Sequence, residues 1–131
     1  MTARGASLDE LQVAQMLPDM EVRQRGGGPA LPLRPARGET TILVWLHPPG
    51  CEECERYLEG LAGIREEFRI WEGRLLVISD LEQITGKAAG VIVADRYGQV
   101  FHVATAGPAH ALPSPRELTE WLKFLGTLCP E

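Results

Sequence analysis

The sequence predicts an α/β fold, a three-layer α/β/α sandwich built around a mixed central β-sheet. Residues 41–46 are almost entirely apolar, as in a strand that is covered on both faces. Residues 52–68 then place apolar side chains at three- and four-residue steps, which predicts an amphipathic helix. Two further apolar runs, 91–94 and 100–104, flank a turn ending in Gly98 and predict a hairpin. A strand-helix-strand unit requires a parallel pair, and the hairpin adds antiparallel strands to the same sheet.

The segment before the first apolar strand predicts an N-terminal extension made of a short helix and a β-hairpin. The helix is expected over residues 7–17, where Ser7 and Glu10 have capping-box spacing. Short strands are expected over residues 20–24 and 30–33, on either side of a glycine-rich turn. We assign a single domain over residues 1–131, with a helical extension over 1–16 and a core over 17–128.

The remaining elements complete the sheet and its helical layers. Residues 74–79 predict another buried strand, and residues 80–85 predict one or two helical turns. Ser114 is expected to cap the last helix, with Pro115 in its first position and Glu117 completing a capping box. Helices are therefore expected on both faces of the sheet. The residues expected on the buried side of the last helix are Leu118, Trp121, Leu122, Leu125 and Leu128.

The composition excludes several classes of function. A chain of 131 residues with 44% hydrophobic and 24% charged residues is typical of one globular domain. A net charge of −5 argues against nucleic-acid binding, because no basic stripe is available to displace counterions from phosphates. No apolar run approaches the roughly 20 residues that span a bilayer, and residues 1–7 lack the apolar region of a secretory signal. We therefore expect a cytoplasmic protein, a monomer or weak dimer, that does not engage membranes.

Two of the three cysteines, Cys51 and Cys54, form a C-x-x-C motif that points to redox or metal chemistry. Cys51 lies where the apolar strand ends and the helix begins, so unpaired N–H groups and the helix dipole favour its thiolate. Cys54 lies one turn further along, can close a disulfide with Cys51, and is expected to face inward as the poorer nucleophile. Cys51 would attack a disulfide and Cys54 would resolve the intermediate. A closed zinc site needs two more ligands, and no second C-x-x-C is present.

Two glutamates, Glu52 and Glu53, separate the cysteines. They oppose formation of the Cys51 thiolate through like-charge repulsion, which stabilises the disulfide relative to the dithiol and predicts a reducing couple. Acidic residues are also common in the first turn of any helix, where they complement the dipole. The sequence leaves both interpretations open.

A buried strand, a C-x-x-C motif opening a helix, a second strand, a hairpin and a terminal helix together resemble the thioredoxin superfamily. Three segments are also similar to the branch that contains peroxiredoxins and alkyl hydroperoxide reductase/thiol-specific antioxidant proteins: Leu17-Pro18-Asp19-Met20, residues 76–80 and residues 91–98. The resemblance covers about residues 17–126. It implies a thioredoxin-like fold with a redox-active disulfide and no cofactor or metal.

The sequence departs from both families at defined positions. Gly50 stands where thioredoxins usually have a tryptophan, and their cis-proline would fall near Ala89 or Gly90. If Cys54 is aligned with the peroxidatic cysteine of peroxiredoxins, Cys51 and His47 occupy the positions of their threonine and proline. We interpret the chain as a peroxiredoxin-like frame that carries a thioredoxin-like dithiol.

These observations predict a thiol-disulfide oxidoreductase acting on a disulfide-bearing protein or on a small-molecule thiol or peroxide. Cys51 and Cys54 are the catalytic residues. A peroxiredoxin-like peroxidase is an alternative, with Cys129 as a potential resolving cysteine, although a bystander role fits Cys129 better. A non-catalytic or metal-carrying thioredoxin-fold module is another, with His47 or His102 as a third ligand. The supporting residues are His47, Pro49, Gly50, Glu52 and Glu53.

Overall fold

A computed structural model describes residues 11–25, 27, 29–34, 38–46, 52–78, 89–106 and 111–127. Six strands and three helices lie in these ranges. The strands are β1 (Glu21–Arg23), β2 (Ala30–Pro32), β3 (Thr40–Trp45), β4 (Gly73–Ile78), β5 (Ala89–Ala94) and β6 (Val100–Ala106). The helices are α1 (Glu52–Ala62), α2 (Arg65–Ile70) and α3 (Pro115–Gly126).

The central sheet has four strands in the order β4-β3-β5-β6. β3 pairs with β4 in parallel and with β5 in antiparallel fashion, so that Leu43 lies opposite both Leu76 and Ile92. All six residues of β3 are buried, as expected for a central strand covered on both faces. The predicted α/β fold with a mixed sheet is therefore confirmed.

All three described helices pack on one face of this sheet. The opposite face is covered by Leu11, Leu17, Val22 and Leu33 of the N-terminal segment, which includes the antiparallel β1–β2 hairpin. The helical turns predicted over residues 80–85 lie outside the described residues. On the helical face, the buried side chains are Ile42, Val44, Leu46, Cys54, Tyr57, Leu61, Phe68, Ala89, Val91, Val93, Leu112, Leu118, Leu122 and Leu125.

The side chain of Arg74 fastens the β1–β2 hairpin to the sheet. Its guanidinium donates to the carbonyls of Pro32 (2.7 Å) and Leu33 (2.6 Å) and to Oγ1 of Thr41 (3.1 Å). Val22 of β1 and Leu33, which follows β2, are buried against the sheet. The predicted hairpin is thus confirmed, and it forms part of the layer opposite the helices.

The helix predicted over residues 7–17 is wrong for residues 11–17, and residues 7–10 lie outside the described ranges. Ala14 has a positive φ of 81°, and Met16 forms a bridge with Gln99. The N–H of Ala14 donates to the carbonyl of Val100 (2.8 Å), and the N–H of Val100 donates to the carbonyl of Gln15 (2.8 Å). The backbone of this segment is therefore hydrogen-bonded to the neighbouring hairpin, in place of the i−4 partners of a helix.

The single helix predicted over residues 52–68 is two helices. α1 ends at Ala62 and α2 begins at Arg65, with a turn at Gly63 and Ile64. The N–H of Ile64 donates to the carbonyl of Leu61 (3.1 Å), a tighter i−3 bond in place of an i−4 bond. The apolar pattern runs through the break because both helices bury their apolar side against the same sheet.

The predicted turn and cap geometries are confirmed. Gly98 has a φ of 89° in the β5–β6 turn. The side chain of Ser114 accepts from the N–H of Glu117 (3.2 Å), whose carboxylate accepts from the N–H of Ser114 (2.8 Å). This reciprocal pair fixes the start of α3. Within the described ranges, no helix is long and apolar enough to cross a membrane.

Candidate functional site

The candidate site lies at the carboxyl end of β3, where the chain leads into α1. Cys54 is fully buried in the first turn of α1, within the apolar cluster on the helical face. This is the inward-facing position that the sequence predicts for the second cysteine of the motif. Cys51, His47, Pro49 and Gly50 lie outside the described residues, as does Cys129. Of the predicted site, the structure therefore places Cys54, Glu52, Glu53 and the segment Ala89–Gly90.

The first turn of α1 is acidic, with Glu52, Glu53 and Glu55 near the positive end of the helix dipole. Glu52 forms an ion pair with Arg56 at 3.8 Å, but its side chain is 89% exposed. Such an exposed pair contributes little to stability and is screened by salt. Any effect of the Glu52 carboxylate on a neighbouring thiolate passes largely through solvent and depends on ionic strength.

Glu55 connects the start of α1 to the N-terminal layer. Its carboxylate lies 3.2 Å from Nη2 of Arg25, whose side chain is only 11% exposed. The N–H of Arg25 also donates to the carbonyl of Val77 in β4 (2.6 Å). Arg25 therefore links three elements: the β1–β2 connection, the edge of the sheet and α1.

Tyr57 anchors α1 on its other side. Its hydroxyl donates to the carbonyl of Pro113 (2.5 Å), just before α3. Burial, and secondarily the charge of Glu117, raises the pKa of Tyr57 well above its usual range, so the phenol stays protonated and acts as a donor. In the sequence, Tyr57 is one of the apolar side chains that recur at three- and four-residue steps over residues 52–68. A buried tyrosine hydroxyl needs a hydrogen-bond partner, and that requirement is the signal for this tether.

The segment where a cis-proline would fall is closed by an aromatic ring. Ala89 and Gly90 open β5 and are both buried. Gly90 is the register partner of Trp45, the last residue of β3. A Cβ placed on Gly90 would lie 2.1 Å from Cζ2 of Trp45, so the indole fills the space that any side chain would need. A proline at position 90 would place its own Cβ against the same indole.

His102 lies away from the candidate site. It is the register partner of Val93, which pairs with Ile42 of β3, three residues before Trp45. That spacing places His102 about 10 Å below the strand end and two strands across the sheet. Its ring stacks on Trp121 with centroids 5.1 Å apart. The sheet register therefore separates His102 from the strand end that leads to the candidate site.

A β-bulge builds an aromatic cluster around His102 that the sequence pattern does not predict. The register shifts at Val93/Ala94, so Phe101 lies between paired positions and contacts the same helix as His102. Strict alternation would place consecutive residues on opposite faces. The cluster consists of Phe101, His102, Trp121 and Phe124.

Among the described residues, no group of three or more His, Cys, Asp or Glu side chains could hold a metal ion.

Comparison of the sequence with protein-family models and with curated proteins finds no match.

Proposed function

We propose that the protein is a cytoplasmic thiol-disulfide oxidoreductase with a thioredoxin-like fold, in which Cys51 and Cys54 form the redox-active dithiol. The observation that carries the proposal is the position of Cys54, fully buried in the first turn of the helix that follows the central strand. That position separates the roles of the two thiols, because a buried sulfur is shielded from external disulfides. Cys51 precedes the helix and is the sulfur assigned to meet the substrate.

The proposed reaction has two exchange steps. The Cys51 thiolate attacks one sulfur of a substrate disulfide, which breaks the S–S bond and releases the other sulfur as a thiolate that takes up a proton. The Cys54 thiol then loses its proton and attacks the sulfur of Cys51 in the mixed disulfide. This step releases the second substrate thiol and leaves a Cys51–Cys54 disulfide. The dithiol has supplied two electrons, and an external thiol reductant restores it.

The arrangement of the elements supports the thioredoxin-like part of the proposal. A parallel strand-helix-strand unit is formed by β3, α1 and β4. The β5–β6 hairpin belongs to the same sheet, and α3 follows it in the chain. This is the element order that the sequence resemblance implies. α1 and α3 share one face, where Tyr57 and the carbonyl of Pro113 connect them.

A catalytic assay tests the proposal directly. With dithiothreitol as electron source, the purified protein should accelerate the reduction of insulin disulfides, and the Cys51→Ser variant should not exceed the uncatalysed rate. The Cys129→Ser variant should keep the wild-type rate and serves as the matched thiol control. Consumption of hydrogen peroxide in place of insulin reduction would instead favour a peroxiredoxin-like peroxidase. Inactivity with both substrates would overturn the oxidoreductase proposal.

One structural feature favours a second candidate, a thioredoxin-fold binding module without turnover. The indole of Trp45 occupies the space next to Gly90, at the strand end where the resemblance places a substrate-docking proline. A module of this kind would form a stable Cys51–Cys54 disulfide, or would hold a soft metal ion, without catalysing exchange. Metal analysis of freshly purified reduced protein, together with the insulin assay, distinguishes the two candidates.

A further inference from the structure

The side of α3 that contacts the edge strand β6 carries an open cleft of about 410 Å³. The described residues that line it are Glu117, Glu120, Trp121 and Phe124. They lie at three- and four-residue steps and so share one side of the helix. The side of α3 that is buried in the core is a different one, formed by Leu118, Leu122 and Leu125. The cleft is therefore a surface feature, separate from the contact that holds the helix on the sheet.

Two aromatic rings stand nearly at right angles in this cleft. The rings of Trp121 and Phe124 have centroids 5.9 Å apart and planes at 84° to each other. Two side chains of β6 support them, because His102 stacks on Trp121 at 5.1 Å and Phe101 meets Phe124 at 6.5 Å. Despite these contacts, Phe124 is 49% exposed. The cleft thus presents a supported aromatic surface to solvent.

Two carboxylates lie on the same side of the helix as the rings. One oxygen of Glu117 accepts from the N–H of Ser114 (2.8 Å), and its second oxygen, Oε2, does not take part in that bond. Glu120 is exposed, and within the described ranges its carboxylate forms no hydrogen bond or ion pair. The Glu120 carboxylate is therefore available to an external donor.

The basic residues of α3 do not neutralise these carboxylates. Arg116 and Lys123 are both exposed, and neither lines the cleft. Among the described side chains, no ion pair joins either of them to Glu117 or Glu120. The charge within the cleft is negative, which favours a cationic occupant.

The combination of rings and carboxylates selects the type of cation. A hard metal ion binds oxygen ligands and gains nothing specific from an indole or a phenyl ring. An organic cation is attracted both by the faces of the rings and by the carboxylates. Among protein side chains, the guanidinium of arginine is planar, stacks on aromatic rings and donates two parallel hydrogen bonds to a carboxylate. Arginine therefore matches both features of the cleft.

We propose that this cleft binds an arginine side chain presented by a basic segment of a partner protein. The guanidinium would lie against Trp121 and Phe124 and donate to the carboxylate of Glu120. Because the cleft is open to solvent, it suits a side chain that projects from another protein. This inference does not depend on the redox proposal, since the residues that carry it belong to α3 and β6.

A hexapeptide of alternating Arg and Gly tests the site by NMR spectroscopy. In spectra of ¹⁵N-labelled protein, the indole N–H signal of Trp121, identified by its loss in Trp121→Phe, should shift saturably on titration. The indole signals of Trp45 and Trp71 should stay in place, since neither residue lines the cleft. A peptide of alternating Glu and Gly should shift none of the three. A Trp121 signal that does not respond to the arginine peptide would overturn the proposal.

Substitutions separate the contribution of the cleft from that of the overall charge. Glu120→Gln and Phe124→Leu should each weaken binding of the arginine peptide about two- to fivefold, as expected for one exposed ion pair or cation–π contact. Glu59→Gln, at an exposed position on α1, makes the same change in net charge as Glu120→Gln and should keep the wild-type affinity. Tyr97→Leu removes an exposed aromatic ring in the β5–β6 turn and should also keep it.

Three results of these titrations would contradict the proposal. Equal weakening by Glu59→Gln and Glu120→Gln would show that the peptide responds only to the net charge of −5. Full affinity of Phe124→Leu would show that the ring does not contribute. A peptide of alternating Lys and Gly that binds as tightly as the arginine peptide would contradict stacking of a guanidinium. Far-UV circular dichroism of each variant verifies that it is folded.

Discussion

The indole of Trp45 lies directly against the α-carbon of Gly90, its partner across the β3–β5 pair. Trp45 is 1% exposed and belongs to the apolar layer opposite the helices. Its backbone, by contrast, lies at the carboxyl end of the central strand, from which the chain leads to Cys51. The contact therefore couples the packing of the non-helical layer to the strand end that carries the candidate site.

Replacing Gly90 by alanine should destabilise the protein, because the new methyl group would lie 2.1 Å from Cζ2 of Trp45. Overpacking of this kind costs about 1–3 kcal/mol in a well-packed core. We expect a lower urea midpoint with an unchanged slope. Adding Trp45→Leu to Gly90→Ala should cost less than the sum of the two single changes, since the smaller side chain makes room for the methyl group. Strict additivity in this double-mutant cycle would show that the ring does not fix the glycine.

Removing the hydroxyl of Tyr57 should weaken the tether between α1 and the segment that precedes α3. Tyr57→Phe deletes the hydrogen bond to the carbonyl of Pro113 and should lower the free energy of unfolding by about 0.5–1.5 kcal/mol at neutral pH. Chemical denaturation measures this difference. Tyr97→Phe is the control, because the Tyr97 side chain is exposed and its hydroxyl should contribute nothing measurable. Equal losses in both variants would contradict the tether.

The same tyrosine should make stability depend on alkaline pH. The pKa of Tyr57 is raised in the folded state by burial, with a smaller contribution from Glu117, whereas in the unfolded chain it returns to about 10. Below pH 10 both states hold the proton and the full contribution is present. Above pH 10 the unfolded chain releases it first, so stability falls with rising pH. The urea midpoint should drop between pH 9 and pH 11, and the drop should be smaller in Tyr57→Phe than in Tyr97→Phe.

The features that the sequence predicts well are those set by local chemistry. The capping box at Ser114 and Glu117, the turn glycine Gly98 and the buried strand β3 each follow from a few neighbouring residues. The features that it misses depend on partners distant in the chain. Ala14 is not helical because its N–H donates to the carbonyl of Val100. The residues next to Ala14 in the sequence do not predict this long-range hydrogen bond.

The same distinction between local and distant contacts applies to the residues of the candidate site. The burial of Cys54 follows from its place on the apolar side of an amphipathic helix, which the sequence displays. Three other contacts join strands, helices and loops that are distant in the chain, and no local pattern predicts them. They are the indole beside Gly90, the hydrogen bond of Tyr57 to Pro113 and the stacking of His102 on Trp121. The bulge at Val93/Ala94 is a further feature that a strict alternation of apolar and polar residues does not predict.

The burial of Cys54 predicts that the two thiols of the motif differ in reactivity. Iodoacetamide at pH 7 should alkylate Cys51 much faster than Cys54, because Cys54 is fully buried. With a disulfide substrate, Cys51→Ser should be inactive, whereas Cys54→Ser should accumulate a mixed disulfide at Cys51 that mass spectrometry detects. Cys129→Ser should match the wild-type protein in both measurements. Equal alkylation rates at Cys51 and Cys54 would contradict the proposed division of roles.

The acidic first turn of α1 should tune the Cys51 thiol. Glu52 and Glu53 add two negative charges near a developing thiolate, while the helix dipole offers about half a positive charge in compensation. Replacing both by glutamine should therefore lower the pKa of Cys51 and make the Cys51–Cys54 couple less reducing. Because the Glu52 side chain is 89% exposed, raising the salt concentration to about 1 M should shrink the difference between the variant and the wild type.

Thiolate absorbance at 240 nm measures the pKa of Cys51, and equilibration with glutathione measures the reduction potential of the Cys51–Cys54 couple. Glu59→Gln, an exposed position further along the same helix, is the control and should change neither. An unchanged thiol titration in the double variant would mean that these glutamates serve only the helix start.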